Sequence, residues 1–268
     1  MRVITLTTDF GAADWFVGTM RGVILSIHPR VQIVDITHGV RAGDVRAAAF
    51  AVAASCRFFP ENAIHVAVVD PGVGSRRTAI AVQTENYVFV GPDNGVLSLA
   101  LARERIKAIF QIRNPLLFLH PVSQTFHGRD VFAPVAAHLS KGLPLQKLGP
   151  RVRDFVRLDW PKPKISEDVM VGKIIYLDGF GNAITNISGL SLREFGSERC
   201  QVSVKRKLLC RTGSFYQAVP IGKPVAVPGS SGFLEIAVNC GSAAKVFRLK
   251  VGDTVTVRRK SRQSSSSS

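Results

Sequence analysis

Four cysteines are all that 268 residues provide. Cys56, Cys200, Cys210 and Cys240 lie far apart and form no C-x-x-C pair. That spacing excludes a zinc ribbon and a small disulfide scaffold, and leaves free thiols in a reducing cytoplasm as the expectation. No run approaches the ~18 apolar residues of a membrane span. Asp9 interrupts MRVITLTTDFG where a signal peptide would still be apolar, so neither secretion nor a membrane is expected. The six histidines form neither H-E-x-x-H nor H-x-H, and no metal is expected. A G-x-G-x-x-G after a strand and a G-x-x-x-x-G-K-[ST] are also missing. Dinucleotide and triphosphate cofactors therefore have no motif support, and no cofactor is expected.

Acidic residues are scarce too. Nineteen Asp and Glu face 35 Lys and Arg, for a net charge of +16 and a pI near 10.4. The excess is dispersed: residues 1–157 hold 18 basic and 11 acidic groups (+7), and residues 158–268 hold 17 and 8 (+9). Without a helix-turn-helix, zinc-finger or RNA-recognition pattern, such a charge speaks for nonspecific attraction to anions rather than for specific nucleic-acid binding. The apolar fraction, 46%, is enough for a sizeable core, which excludes a disordered chain.

Residues 3–8, 31–37, 63–70, 78–83 and 87–90 read as strands. Helices are expected over about 14–27, 44–58 (with Asp44 as N-cap) and 95–104. This alternation predicts an α/β domain over 1–157 with a central, largely parallel sheet. Ligands of such sheets sit at the carboxyl ends of the strands, and Asp9 and Asp70 both lie just past strand ends. A linker is expected over 158–170, around Trp160-Pro161-Lys162-Pro163-Lys164. Beyond it, 171–177, 201–204, 233–238, 245–250 and 253–258 are short β-like runs between Gly, Ser and Pro. They predict a small antiparallel β-barrel-like domain over 171–260. The serine-rich 261–268 reads as a disordered tail.

Five segments could carry chemistry. In Thr7-Thr8-Asp9-Phe10-Gly11, Asp9 can accept two hydrogen bonds from a vicinal diol or cap the next helix. In Asp70-Pro71-Gly72-Val73-Gly74-Ser75-Arg76-Arg77, Asp70 and Arg77 form either a functional pair or a structural brace for the turn. His127, in Thr125-Phe126-His127-Gly128-Arg129-Asp130, either faces a cleft or is an ordinary satisfied histidine. Asp178-Gly179-Phe180-Gly181-Asn182 and Pro228-Gly229-Ser230-Ser231-Gly232-Phe233 are Gly-rich loops with one aromatic each. A planar base can stack on Phe180 with Asn182 at its edge, or both loops are simply hairpin turns.

Together, TTDFG, VDPGVGSRR, PDNG, TFHGRD, DGFGN and SSGFLEIAVN, in this order over about 3–258, resemble the S-adenosyl-L-methionine (SAM) hydrolase family. These enzymes are also called SAM hydroxide adenosyltransferases and are related to the SAM-dependent fluorinase and chlorinase. The resemblance implies an α/β domain followed by an antiparallel β-barrel-like domain, and a homotrimer with active sites at subunit interfaces. It implies that SAM is the substrate, cleaved to adenosine and L-methionine by water or hydroxide, with Asp70, Arg77 and His127 as the hydrolytic set. In the halogenases, the positions of Asp70 and His127 carry tyrosines, and in the fluorinase a Thr stands at Val73 and the halide-binding Ser at Gly128; the hydrolase branch is therefore implied. Asp9 corresponds to the ribose contact, Phe180 and Phe215 to the walls around adenine, and Asn182 to its edge. Asp178 and Ser230, with the adjacent Ser231, correspond to the methionine end, with Asp14 as a further candidate. Gly43 falls where relatives often carry an aromatic near the ribose, which leaves Trp15 or Phe126 to cover it. The rival readings are a SAM halogenase, a non-catalytic SAM- or adenosine-binding protein, and a basic RNA-associated protein.

Overall fold

A computed structural model describes residues 2–196 and 200–259; the tail expected over 261–268 lies outside the described residues. The chain divides into two compact units, Met1–Leu158 and Asp159–Ser268.

The first unit runs β1 (Val3–Thr8), α1 (Phe16–Ile27), β2 (Gln32–Thr37), α2 (Val45–Ser55), β3 (Ile64–Val68), β4 (Ala79–Thr84), β5 (Val88–Pro92), α3 (Ser98–Leu101), β6 (Ile106–Gln111), α4 (Ala133–Ser140) and β7 (Arg151–Val152). The sheet order is β2-β1-β3-β5-β4-β6-β7. Alternating side chains of β1 and β3 feed two cores. Ile4, Leu6, Ile64 and Val66 pack with Met20 and Ile24 of α1 and with Val135 and Leu139 of α4. Val3, Ala63 and Ala67 pack with Ala48 and Val52 of α2 and with Leu101 of α3. Helices thus cover both faces, as the alternation predicts.

The sheet is mixed rather than largely parallel. The pairs β1–β2, β1–β3 and β3–β5 are parallel, whereas β4–β5, β4–β6 and β6–β7 are antiparallel. The physical reason is chain length. Only residues 85–87 join β4 to β5, too few for the crossover that a parallel pair requires. The helix expected over 95–104 shortens to α3. Asp44 does cap α2, its carboxylate accepting from the Ala47 N–H at 2.9 Å.

The second unit runs β8 (Lys164–Ile165), β9 (Val169–Leu177), β10 (Ala183–Ser188), α5 (Gly189–Glu194), β11 (Gln201–Val204), β12 (Lys207–Arg211), β13 (Pro224–Pro228), β14 (Phe233–Val238), α6 (Ala243–Phe247) and β15 (Thr254–Arg258). Its strands order as β12-β11-β15-β9-β10-β14-β13, antiparallel throughout, with β8 beside β9. A bridge from Thr212 to Ala226 nearly closes the sheet between β12 and β13. The core is Met170, Ile174, Ile187, Leu234, Ile236 and Val257. The expected strand over 245–250 is instead α6 and the turn after it, with the Ser242 hydroxyl accepting from the Lys245 N–H as a helix N-cap. β8 and the start of β9 occupy part of the stretch read as a linker. No helix among the described residues is long and apolar enough to cross a membrane.

Leu6 is fully buried, whereas Leu116 is exposed. Leu6→Ala is expected to cost about 2–5 kcal/mol in denaturant unfolding through lost contacts and a residual cavity, and Leu116→Ala close to nothing. Equal costs would show that the β1 face is not the core.

Candidate active site

Neighbouring parallel strands bring the first two acidic positions together. Thr8 pairs with Val68 at the carboxyl ends of β1 and β3, so Asp9 and Asp70 emerge at one edge of the sheet. They line a cleft of about 370 Å³ together with Phe10, Phe16, Phe126 and His127. Asp9 caps no helix, since α1 begins at Phe16 with Trp15 in the N-cap position. Its Oδ2 accepts from the Gly43 N–H at 2.8 Å, so the residue at the expected aromatic position orients the carboxylate with its backbone. Trp15, 68% exposed, stacks on Phe16 and does not line the cleft, whereas Phe126 does. Asp14 is exposed in the turn before α1, also away from the cleft lining.

Close backbone approach brings the remaining loops together. Gly74, at φ +76°, lies so near the Gln124 carbonyl that a side chain there would collide with it. This contact clamps the loop after Asp70 to the one before His127. The Asn94 amide of PDNG donates to the Val69 carbonyl at 2.8 Å, bracing the chain next to Asp70. Downstream, residues Gly128–Phe132 form a single π-helical turn leading into α4, a feature common at functional sites. Within it, buried Asp130 accepts from Arg129 and from the Ser123 N–H.

The three residues of the implied hydrolytic set meet. Arg77 donates to Asp70 Oδ2 through Nε (2.8 Å) and to His127 Nδ1 through Nη2 (2.7 Å), and Nη2 also lies in ion-pair contact with Asp70 Oδ2 (2.5 Å). A brace for the turn alone would not need the contact to His127. A guanidinium only donates, so Nδ1 must accept, and the neutral ring carries its hydrogen on Nε2. Burial, then the Arg77 charge, lower the His127 pKa from 6.5, against smaller opposing effects of Asp70 and Asp130. Asp70 Oδ1 is buried with no hydrogen-bond partner among the described residues. Arg77 itself does not line the cleft. It contacts two residues that do, Asp70 and His127.

The second unit holds a larger pocket, of about 830 Å³, lined by Asp178, Phe180, Asn182, Phe215 and Ser230. The segment read as either a hairpin or a stacking platform is a hairpin turn with its aromatic ring exposed. Asp178 Oδ1 accepts from the Phe180 and Asn182 N–H groups and Oδ2 from the Asn182 amide. That ring of bonds shapes the β9–β10 turn and leaves Phe180 82% exposed. The Asn182 side chain spends one Nδ2 hydrogen on Asp178, so its second Nδ2 hydrogen and its Oδ1 remain for a ligand. Phe215 is 60% exposed. Ser231 does not line the pocket, and its hydroxyl is buried without a partner among the described residues.

Sequence reasoning missed several lining residues. Phe10 sits inside the TTDFG segment, and its ring meets Phe16 and Phe126 at 5.7 and 5.6 Å. In the pocket, the Tyr216 hydroxyl donates to Glu235 at 2.6 Å. That bond, then burial, push Tyr216 up to about 12, and burial raises Glu235. A carboxylate at a buried position of β14 was the available signal.

The profile of the SAM hydroxide adenosyltransferase N-terminal domain matches residues 4–149, and that of the C-terminal domain matches residues 172–256. The chain is 40% identical over 257 residues to the (R)-S-adenosyl-L-methionine hydrolase of Salinispora arenicola (strain CNS-205), covering 95% of this chain and 97% of that one. A fluorinase of Nocardia brasiliensis (strain ATCC 700358 / HUJEG-1) is more distant, 28% identical, with 96% of each chain covered. The crystal structure of an uncharacterized conserved protein from Thermotoga maritima superposes with a TM-score of 0.92 at 38% identity, covering 96% of this chain and all of that one. With both domain profiles matched in order and whole-length relatives at such identity, the chain belongs to the SAM hydroxide adenosyltransferase family.

Proposed function

We propose that the protein hydrolyses SAM to adenosine and L-methionine. The observation that carries this reading is the buried, unpartnered Asp70 Oδ1 beside a neutral His127 held by Arg77. A water molecule between them has what it needs: a carboxylate oxygen to accept its proton and the Nε2–H of His127 to fix its oxygen. Its oxygen attacks C5′ of the nucleoside in line with the sulfur. The C5′–O bond forms, the C5′–S bond breaks, and the bonding pair leaves on sulfur. Methionine departs as a neutral thioether, so no general acid is required. The water proton passes to Asp70. Holding the nucleophile in place is worth up to ~7–11 kcal/mol in favourable intramolecular cases.

Asp9 holds the ribose hydroxyls, Phe180 and Phe215 flank the purine, and Asn182 Oδ1 accepts from its amino group. Asp178 and Ser230 face the amino-acid end. The cleft belongs to the first compact unit and the pocket to the second. We assign a complete site to the cleft of one protomer and the pocket of a neighbour in a homotrimer. The four cysteines are free, in keeping with a cytoplasmic protein. A halogenase is the second reading, on the strength of the fluorinase relative. Val73 and Gly128 in the cleft lining disfavour it, because neither side chain offers a halide a donor.

Asp70→Ala and His127→Ala are each expected to lower turnover at least ~100-fold, and label from solvent water should appear only in the adenosine 5′-hydroxyl. Wild-type rates in both variants, or label elsewhere, would reject the mechanism.

The pH profile follows from His127. Protonation of Nδ1 replaces an acceptor with a donor facing Arg77, so activity falls as pH drops through the imidazole pKa. That pKa lies below 6.5, and the acid limb of kcat/KM should therefore have its midpoint below 6.5. A midpoint above 6.5 would contradict the Arg77–His127 bond.

Shared sites can be tested by mixing subunits. Asp70→Ala and Phe180→Ala proteins, each inactive alone, should regain about a quarter of wild-type activity after joint unfolding and refolding, since random assembly pairs intact halves in that share of sites. No recovery would place both halves within one chain.

A further inference from the structure

A second cavity in the first unit, of about 430 Å³, shares His127 with the catalytic cleft. Asp70 lines only the cleft and Arg77 only this cavity. The ion pair therefore forms part of the wall between them. The size falls within the range of small-molecule sites, about 300–1,000 Å³. The lining carries three cations, Arg76, Arg77 and Arg113, and no Asp or Glu. Arg76 and Arg113 make no side-chain hydrogen bond or ion pair among the described residues. Arg77 spends Nε and Nη2 on Asp70 and His127, and its Nη1 makes no hydrogen bond among the described residues. The lining also carries apolar surface, from Phe118 and Val122 among others.

Resting on the hydrolase reading for its effect on rate, we infer that this cavity binds an organic carboxylate with an apolar tail, and that its occupation slows hydrolysis. A carboxylate matches the planar fork of an arginine in two parallel hydrogen bonds. Its tail covers Phe118 and Val122, which a bare oxyanion would leave wet. Bound there, it competes with His127 and Asp70 for the Arg77 donors. The imidazole then loses the bond that fixes its tautomer. The cost falls on the chemical step, because Asp9, Phe10 and Phe16 line the cleft and not this cavity.

The test uses the full-length protein at constant ionic strength with three probes: phenylacetate, its neutral counterpart 2-phenylethanol, and inorganic phosphate. Phenylacetate is expected to lower kcat at least ~3-fold with KM unchanged, while the other two do little. Arg113→Gln, outside the catalytic machinery, should weaken phenylacetate inhibition about tenfold, the loss of one charge-assisted hydrogen bond, and leave uninhibited turnover as in wild type. Calorimetry on the same proteins reads binding without turnover. The inference is overturned by absent binding, by a rise in KM alone, by equal inhibition from phosphate, or by inhibition that Arg113→Gln leaves unchanged. If wild-type protein fails to cleave SAM yet binds phenylacetate through Arg113, the cavity assignment stands and the hydrolase reading falls.

Discussion

The Arg77 guanidinium ties the N-terminal site together. One planar cation holds Asp70 after β3 and His127 before the π turn, residues 57 positions apart, with three contacts of 2.5–2.8 Å. Its donors cannot be turned into acceptors, so it fixes the tautomer of His127 and engages one oxygen of Asp70. Asp70 presents one engaged and one open oxygen, and His127 keeps its hydrogen on Nε2. Asp70 and Arg77 are 5% and 12% exposed at their side chains. Removing one partner of such a buried pair costs about 3–5 kcal/mol, far above the worth of a surface ion pair. A brace and a part in the proposed chemistry are therefore compatible in one contact.

Each polar group at the site is held by a scaffold feature that the motifs encode. Gly74 lets the Asp70 loop touch the Gln124 carbonyl, Asn94 braces Val69, and Asp130 anchors Ser123. Only a few of the motif residues face the cleft, and the rest set the backbone that aims them. The second unit follows the same logic with different means. Asp178 uses both carboxylate oxygens to shape its turn, and the result is an exposed phenyl ring at Phe180. An exposed aromatic costs solvation, and its retention on a rigid turn is what a stacking platform for a planar ligand requires.

Much of this was legible in the sequence, and the failures have physical causes. Strand positions in the first unit followed from apolar runs, but such runs carry no direction. The antiparallel half of the sheet is dictated by the three residues between β4 and β5, which make any crossover impossible. Residues 245–250 alternate like a strand, yet the cap at Ser242 and the turn at Arg248, at φ +52°, make the segment helical. Asp9, Asp70, His127, Phe180, Phe215, Asn182 and Ser230 lie in pocket linings, because motif residues flank strand ends where ligands sit. Asp14 and Ser231 do not, since adjacency in sequence does not fix which way a side chain faces. Glu235 and Tyr216 stayed hidden for a different reason. Their significance lies in a bond between two segments 19 residues apart, and a single strand pattern cannot reveal its partner.

Elementary electrostatics favours one kind of nucleophile in the proposed mechanism. A halide accepts hydrogen bonds and offers none. Set beside an open carboxylate oxygen such as Asp70 Oδ1, it meets like charge in a poorly screened cleft. Water in the same place donates to that oxygen and is held more firmly for it. Packing points the same way. A Cβ at Gly128 would lie 3.2 Å from atoms of Met20, Phe10 and Phe126, tighter than ordinary van der Waals contact. A side chain introduced there, as a halide donor would require, needs Met20, Phe10 and Phe126 to give way slightly. The glycine that permits this close packing and the carboxylate that repels anions are thus two parts of one preference, for a neutral nucleophile that can give up a proton.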